Sequence, residues 1–280
     1  MINSIIQMKP PTLTQDFLIL IKKNKKYKTI ANEIVLKEIK EYLRKNPKIS
    51  KPCKEDIKEI RKNLYRTYSS YQTNKKRKRN QLLEKLKTNL NNKDRITQLL
   101  SIVISTKERL SDYLELYFKI FKITGKPKSI IDLGCGMNPL SYYFMNLKKL
   151  RYYAYDIDEE DIKFLNNFFK IMEKQGLDGK AKILDINNTK AVSSLPTPDI
   201  IFLFKVIDVI NTKNHKTSEQ LVKQLIKKTK FIIVSFATKT ITRKSMNYPK
   251  RKGFELMLKR LNLKFKTIEI KNEIFYIISK

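Results

Sequence analysis

The first 124 residues contain no glycine; all six glycines of the 280-residue chain lie from Gly125 onward. Before that point proline is confined to Pro10-Pro11, Pro47 and Pro52, with Pro127 just after it, and these prolines mark breaks. Between the breaks, apolar residues recur at helical spacing. Ile34, Ile39 and Leu43 line one face within 31–45, and Ile57, Ile60, Leu64 and Tyr68 line one within 54–72. Leu82, Leu83, Leu86 and Leu90 form a third stripe. Residues 1–124 therefore read as a helical module, with no tidy repeat and no sustained heptad.

The pattern changes at Ser129. Ser129–Leu133, Tyr152–Ile157, Ala181–Asp185, Asp199–Lys205 and Lys230–Phe236 read as short buried strands. Helical stretches lie between them, near 140–149, 159–174, 216–228 and 249–261. Strands alternating with helices imply a parallel sheet with crossovers. The end differs: Phe265–Ile270 and Ile274–Ser279 are separated by Lys271-Asn272-Glu273, which predicts a hairpin and an antiparallel last strand. The expected fold is α/β, a Rossmann-like sheet ending in an antiparallel hairpin, and in this it resembles the topology of S-adenosylmethionine (SAM)-dependent methyltransferases.

Charge bears on the partner. Lys and Arg number 60 against 27 Asp and Glu, a net charge of +33. Residues 1–128 carry 32 basic and 12 acidic residues; 129–280 carry 28 and 15. Biased codon use enriches Lys, but by itself it does not deplete acidic residues, so the excess points to a polyanion, and nucleic acid is the natural one. At 41% hydrophobic residues, the chain has enough for a real core. His215 is the only histidine, and Cys53 and Cys135 stand 82 residues apart. That excludes a disulfide framework and a multi-cysteine zinc site, and argues against a histidine-dependent triad, so no metal is expected. The run Phe17–Ile21 is too short to span a bilayer or to form a signal core, so no membrane partner is expected and the chain reads as cytoplasmic.

Five strand ends carry the candidate chemistry. Asp132-Leu133-Gly134-Cys135-Gly136-Met137-Asn138-Pro139 leaves a strand and enters a helix, with Asn138 as the expected N-cap and Pro139 as the first helical residue. Its glycines allow a sharp turn and close approach to a ligand. Pro139 replaces the third glycine of the dinucleotide fingerprint, which disfavours a pyrophosphate and a nicotinamide oxidoreductase. Asp156 follows Gly136 by 20 residues, the spacing at which a carboxylate grips a ribose diol. Asp158 reads as a helix cap. Asp185 and Ile186 end the third strand, where Asp185 either accepts from an adenine amino group or holds a strand-end turn. Lys205 ends the fourth strand, placed to contact a target phosphate or base, or simply solvated. Ser235 and Phe236 end the fifth, and Phe236 either stacks on a flipped base or fills the core. Lys239, Arg243 and Lys244 follow as candidate phosphate contacts, as does the run Lys75-Lys76-Arg77-Lys78-Arg79.

Together these residues resemble the ribosomal RNA guanine-N7 methyltransferases that confer aminoglycoside resistance. The resemblance rests on Ser105-Thr106-Lys107-Glu108-Arg109-Leu110, Leu133–Leu140, Tyr155–Asp158, Phe202–Lys205 and Val234–Phe236. It covers roughly residues 55–280. Ala237 stands where a proline is expected, and Thr240–Pro249 lacks a Gly-rich character. The resemblance implies SAM as cofactor, with Arg109 on its carboxylate, Gly134 and Gly136 beside its methionine portion and Asp156 at the ribose; Cys135, Ile157, Asp185 and Ile186 complete the expected cofactor-binding set. It implies a basic helical RNA-docking domain over 1–104 and a methyltransferase domain over 105–280. The partner would be 16S rRNA of the small ribosomal subunit, and the chain a monomer. Guanine N7 has a lone pair and no proton to lose, so no general base is expected; Lys205, Ser235 and Phe236 would position the target. A different rRNA nitrogen, such as adenine N1, and a non-catalytic RNA-binding protein of the same fold are the other readings.

Overall fold

The computed structural model describes residues 12–65, 78–211, 215–239 and 250–280. By packing, the chain divides into two compact units, Met1–Ser70 and Tyr71–Lys280.

Among the described residues of the first unit are three helices, α1 (Leu13–Lys22), α2 (Asn32–Lys45) and α3 (Lys54–Leu64), which pack on one another. Each buries the stripe its spacing demands: Phe17, Leu18 and Ile21; Ile34, Val35 and Ile39; Ile60 and Leu64. Tyr68, the last residue of the expected third stripe, lies outside the described residues. Helix α3 opens on a capping box in which the Cys53 amide donates to Asp56 Oδ2 (3.0 Å) and the Asp56 amide donates to Cys53 Sγ (3.4 Å). These bonds from Cys53, and one from the Tyr42 hydroxyl (2.8 Å), hold the Asp56 carboxyl below its ordinary range.

The second unit begins with α4 (Arg79–Lys87), α5 (Lys93–Leu100), α6 (Ile104–Glu108) and α7 (Tyr113–Thr124). Leu83, Leu86, Ile96 and Leu99 share one apolar cluster with Ile130, Tyr152 and Phe202 of the sheet. The division in packing falls at 70/71, and α4 and α5 share the core of the sheet. Then come β1 (Ser129–Leu133), a 3-10 helix (Asn138–Phe144), β2 (Leu150–Asp156), α8 (Glu159–Met172) and β3 (Leu177–Ile183). The chain continues through α9 (Thr189–Ser193), β4 (Ile200–Phe204), α10 (Ile207–Ile210), α11 (His215–Leu225), β5 (Phe231–Ala237), α12 (Lys252–Arg260), β6 (Lys264–Ile270) and β7 (Glu273–Ser279).

The seven strands lie in the order β3-β2-β1-β4-β5-β7-β6. Strands β1 to β5 are mutually parallel, and β7 runs antiparallel between β5 and β6, as the hairpin pattern predicts. Edge strand β3 starts four residues before its apolar run, because Leu177–Lys180 pair with Leu150–Tyr153 whatever their side chains. Helices cover both faces. Ile130, Phe202 and Phe275 point into one core, and Ile131, Leu203 and Tyr276 into the other, by the period-two alternation of strands. Asp132 falls on the Ile130 face, where it is 1% exposed. No helix among the described residues is long and apolar enough to cross a membrane.

Candidate active site

The carboxyl ends of the parallel strands gather the expected residues. After β1 the chain turns through Gly134 (φ +67°) and Gly136 (φ +47°). The amides of Gly134 and Cys135 both donate to Tyr155 O, at 2.8 and 3.0 Å, which ties the loop to β2. A Cβ on Gly134 would fall 2.8 Å from Val206 Cγ2, whereas one on Gly136 would meet nothing within 4 Å. Gly134 is thus required by packing as well as by φ; Gly136 is required by φ and faces open space. The Gly136 amide donates to Asp156 Oδ2 (2.8 Å) and the Ile157 amide to Asp156 Oδ1 (2.7 Å). The 20-residue spacing thus brings Asp156 to the glycine loop, where it splints the turn. Each carboxylate oxygen has a further lone pair for a ligand. Burial, and then the nearby Asp161, push the Asp156 pKa up to about 6.

Asn138 departs from expectation. It does not cap the following helix; its side chain turns inward to serve Asp132. Its Nδ2 donates to Asp132 Oδ2 (2.9 Å), and the Tyr152 hydroxyl donates to the same oxygen (2.6 Å). A carboxyl buried mid-strand needs donors, and the amide supplies one where a cap would not. Asp132 Oδ1 is buried without a partner, and burial raises the carboxyl pKa to about 6. Asn138 Oδ1 in turn accepts from the Tyr113 hydroxyl (3.3 Å) and Arg109 Nη1 (3.4 Å).

Arg109 follows α6 and is 2% exposed. Its Nε and Nη2 donate to Glu273 Oε2 and Oε1, at 2.8 and 3.0 Å, a bidentate pair. Its Cζ lies 5.0 Å from the Phe204 ring centroid. Burial favours the neutral guanidine, but Glu273, with Tyr113, outweighs that and holds the pKa above its ordinary value. Lys205 follows β4 at φ +58°, a sparsely populated conformation for a residue with a side chain. Its amide donates to Ser235 O (3.1 Å) and Oγ (3.0 Å). Its Nζ donates to Glu108 Oε2 (2.7 Å) and lies 3.5 Å from Glu273 Oε2. The Ser235 hydroxyl is hydrogen-bonded to Glu273 Oε1. Lys205 and Ser235 therefore sit in an ion cluster with Arg109.

Phe236 does not join them. Strand alternation sends it to the opposite face from Ser235, where it is 2% exposed and packs edge-to-face on Phe254 (5.0 Å) and Tyr276 (5.8 Å). Arg251 Cζ lies 5.2 Å from its ring centroid. Its role here is core, not an exposed stacking platform. Asp185 follows β3 and holds a turn, accepting from the Asn187 amide (2.9 Å), and Ile186 beside it is half-buried. Cys135 is buried, and burial raises its thiol pKa, so it is no nucleophile.

The described geometry is that of a ligand site at the carboxyl edge of an open α/β sheet. Residues 23–277 match the ribosomal RNA methyltransferase (FmrO) family. The chain belongs to that family. A 16S rRNA (guanine(1405)-N(7))-methyltransferase of Proteus mirabilis is 28% identical over 255 residues, 82% of this chain and 85% of that protein. One of Micromonospora echinospora is 28% identical over 190 residues, 66% of each chain. Among solved structures, 16S rRNA methyltransferase RmtF in complex with S-adenosyl-L-homocysteine shares the fold, with a TM-score of 0.78 at 19% identity, covering 97% of this chain and 100% of that one. The 16S rRNA methylase ArmA is 30% identical, with a TM-score of 0.53, covering 70% of this chain and 97% of that one.

For an rRNA methyltransferase, the basic run before α4 matters, and the structure separates its members. Lys78 is exposed. Arg79 is 5% exposed, ion-paired with Asp161 and stacked 4.8 Å from the Phe164 ring centroid. It is an internal strut between α4 and α8, not a phosphate contact, because its position in the α4 stripe turns it inward. Lys239 is half-buried. Lys75, Lys76, Arg77, Arg243 and Lys244 lie outside the described residues. Sequence reasoning missed Asp132, Glu108 and Glu273. Glu273 falls within the expected hairpin connection, yet it is the first residue of β7, paired with Ala237 and Ile270. The signal available was an acidic residue at the start of an apolar strand in a chain so rich in lysine.

Proposed function

We propose that this family member transfers a methyl group from SAM to N7 of a guanine in the decoding region of 16S rRNA. The observation that carries this reading is the combination of a positive-φ glycine loop, the Asp156 splint and the buried Arg109 at one sheet edge, in a member of an rRNA methyltransferase family. These residues fit the cofactor. The open space before Gly136 admits the methionine portion past Gly134, Cys135 and Gly136. The Asp156 carboxylate, beside Ile157, has lone pairs left for the ribose diol. Asp185 and Ile186 border the adenine. Arg109 supplies the cation for the cofactor's carboxylate.

When bound, SAM supplies an electrophilic methyl group on sulfonium. Guanine N7 is a neutral nucleophile with no proton to lose, so the protein's task is to bind, orient and exclude water. The Lys205 backbone, held in its left-handed turn by Ser235, closes the carboxyl end of β4 where the target base must approach. A base inside a duplex cannot enter a closed pocket, so the target nucleotide is flipped out.

The helical unit supports RNA docking. It has a groove of about 690 Å³ lined by Lys23, Lys26, Lys58, Arg61, Tyr27 and Tyr65 among others, with no acidic side chain in the lining. Phosphate binding through such a surface weakens steeply with salt. Lys78 and Lys239, with Lys75, Lys76, Arg77, Arg243 and Lys244 of the sequence, are further candidate phosphate contacts. The protein acts in the cytoplasm as a monomer on the small subunit.

The test is transfer of labelled methyl from SAM to 30S subunits, followed by borohydride–aniline cleavage and primer extension. Cleavage at a decoding-region guanine is the expected result. Label without cleavage overturns the N7 assignment in favour of another nitrogen. SAM binding with no incorporation overturns the choice of substrate.

A further inference from the structure

Glu273 lies 164 residues from Arg109 in sequence and 2.8 Å from it in space. Because β7 runs antiparallel to β5, its first residue lands opposite Ala237, at the carboxyl edge of the parallel strands. There Glu273 is 1% exposed and meets four groups: Arg109 Nε, Arg109 Nη2, the Ser235 hydroxyl and Lys205 Nζ. A guanidinium presents its donors in a rigid plane with more than one usable edge. Glu273 occupies the Nε/Nη2 edge. The remaining nitrogen, Nη1, points to Asn138, the residue that closes the glycine loop. Asn138 passes the connection on to Asp132 and Tyr113. One carboxylate therefore sets the plane of Arg109 on the cofactor side. It also shares Lys205 with Glu108 on the side where β4 and β5 end.

We propose that Glu273 is a positioning residue of the cofactor site, holding Arg109 by one edge so that its Nη1 is presented to the cofactor's carboxylate. This rests on the assignment of Arg109 to that carboxylate. Glu273 itself touches no reacting atom. Its contribution is to remove the rotational freedom of a long side chain before the ligand arrives, which is how a preorganised donor gains affinity. A role of this kind is selective: it acts on ligands that carry a carboxylate and is silent toward those that lack one.

The experiment compares two probes by calorimetry on the full chain and on Glu273→Gln. S-adenosylhomocysteine has the amino-acid carboxylate; 5′-methylthioadenosine keeps the adenosine and lacks it. The expected result is an affinity for S-adenosylhomocysteine lowered about tenfold or more, the loss of roughly one charge-assisted hydrogen bond. Binding of 5′-methylthioadenosine stays within about twofold. In the double variant Arg109→Met/Glu273→Gln, the loss is no greater than in Arg109→Met, because Glu273 acts through Arg109. Equal loss of both probes, or additive losses in the double variant, would overturn the proposal. Failure of the unaltered chain to bind either probe refutes the cofactor reading; binding of both with equal strength refutes only the Arg109 assignment and, with it, the role of Glu273. Glu273→Asp keeps the charge and shortens the reach, and should show the same selectivity if the Gln variant does not fold. If both variants are insoluble, Glu273 belongs to folding and the positioning role is refuted.

Discussion

The glycine loop and the Arg109 cluster lie at the same edge of the same sheet, yet they are built by different means. The loop is local: its turn is set by Gly134 and Gly136, and its partner Asp156 is one strand away. The cluster is assembled from α6, β4, β5 and β7, and its central carboxylate arrives from the far end of the chain. The first rests on backbone conformation, which tolerates few residue types. The second rests on compensated buried charge, which fails when any one member is removed. Substitutions in the loop should therefore disturb ligand binding before stability, and those in the cluster should disturb both.

The largest expected effect tests the cluster. Glu273→Leu leaves Arg109 buried without its bidentate partner and Lys205 with Glu108 alone. Urea unfolding should show a loss of about 3–5 kcal/mol. A loss under about 1 kcal/mol would mean that the cluster is solvated and that the comparison is false. Next in size is the hydrogen bond beneath it. Tyr152→Phe removes a donor from buried Asp132 and should cost about 1–3 kcal/mol in the same assay. The loop comes third. Gly134→Ala and Gly136→Ala both place a side chain at positive φ, costing roughly 1–2 kcal/mol each. Gly134→Ala adds a collision with Val206 and should be the less stable. Gly136→Ala should be the one that lowers S-adenosylhomocysteine affinity at little further cost in stability, because its Cβ enters the open space.

The smallest effect concerns pH. The Asp156 pKa stands near 6 in the folded protein, above its ordinary value of 3.8. The native state then holds a proton that the unfolded state releases earlier. This contribution to stability is complete below the ordinary value and is lost as pH rises through about 6. Asp132 behaves alike, with its pKa also near 6. Melting temperature should therefore fall between pH 4 and 6 from these two groups, and Asp156→Asn should remove part of that slope. Cofactor affinity should run the other way, rising through pH 6 as Asp156 ionises to accept from a diol, and Asp156→Asn should flatten the rise. An unchanged profile in the variant would assign the titration to Asp132.

Several elements were legible because their causes are local. The seven strands, the antiparallel hairpin, the Asp158 cap of α8 and the meeting of Gly136 with Asp156 follow from apolar periodicity, turn chemistry and a fixed spacing. Misreadings occurred where one residue had two uses. Asn138 could cap a helix or serve a buried carboxyl, and only the depth of Asp132 decides between them. Phe236 could stack on a base or fill the core, and strand alternation beside Ser235 decides. Arg79 is one of five consecutive basic residues, but the stripe of α4 turns it toward Asp161. The packing units divide at 70/71, and α4 and α5 of the expected docking domain share the core of the sheet, because amphipathic spacing marks which face is buried and not what covers it.

Read alone, the chain determined its sheet, its glycine loop, the cofactor class that such a loop suits and a polyanionic partner, since period, turn and charge are properties of neighbouring residues. Only the tertiary structure decided that Arg109, Lys205 and Ser235 share one carboxylate, and that it is Glu273. The pairing depends on β7 entering the sheet antiparallel beside β5, and no short-range rule brings residue 273 to residue 109. Once they meet in a water-poor interior, the cost of leaving either charge unpaired holds them together.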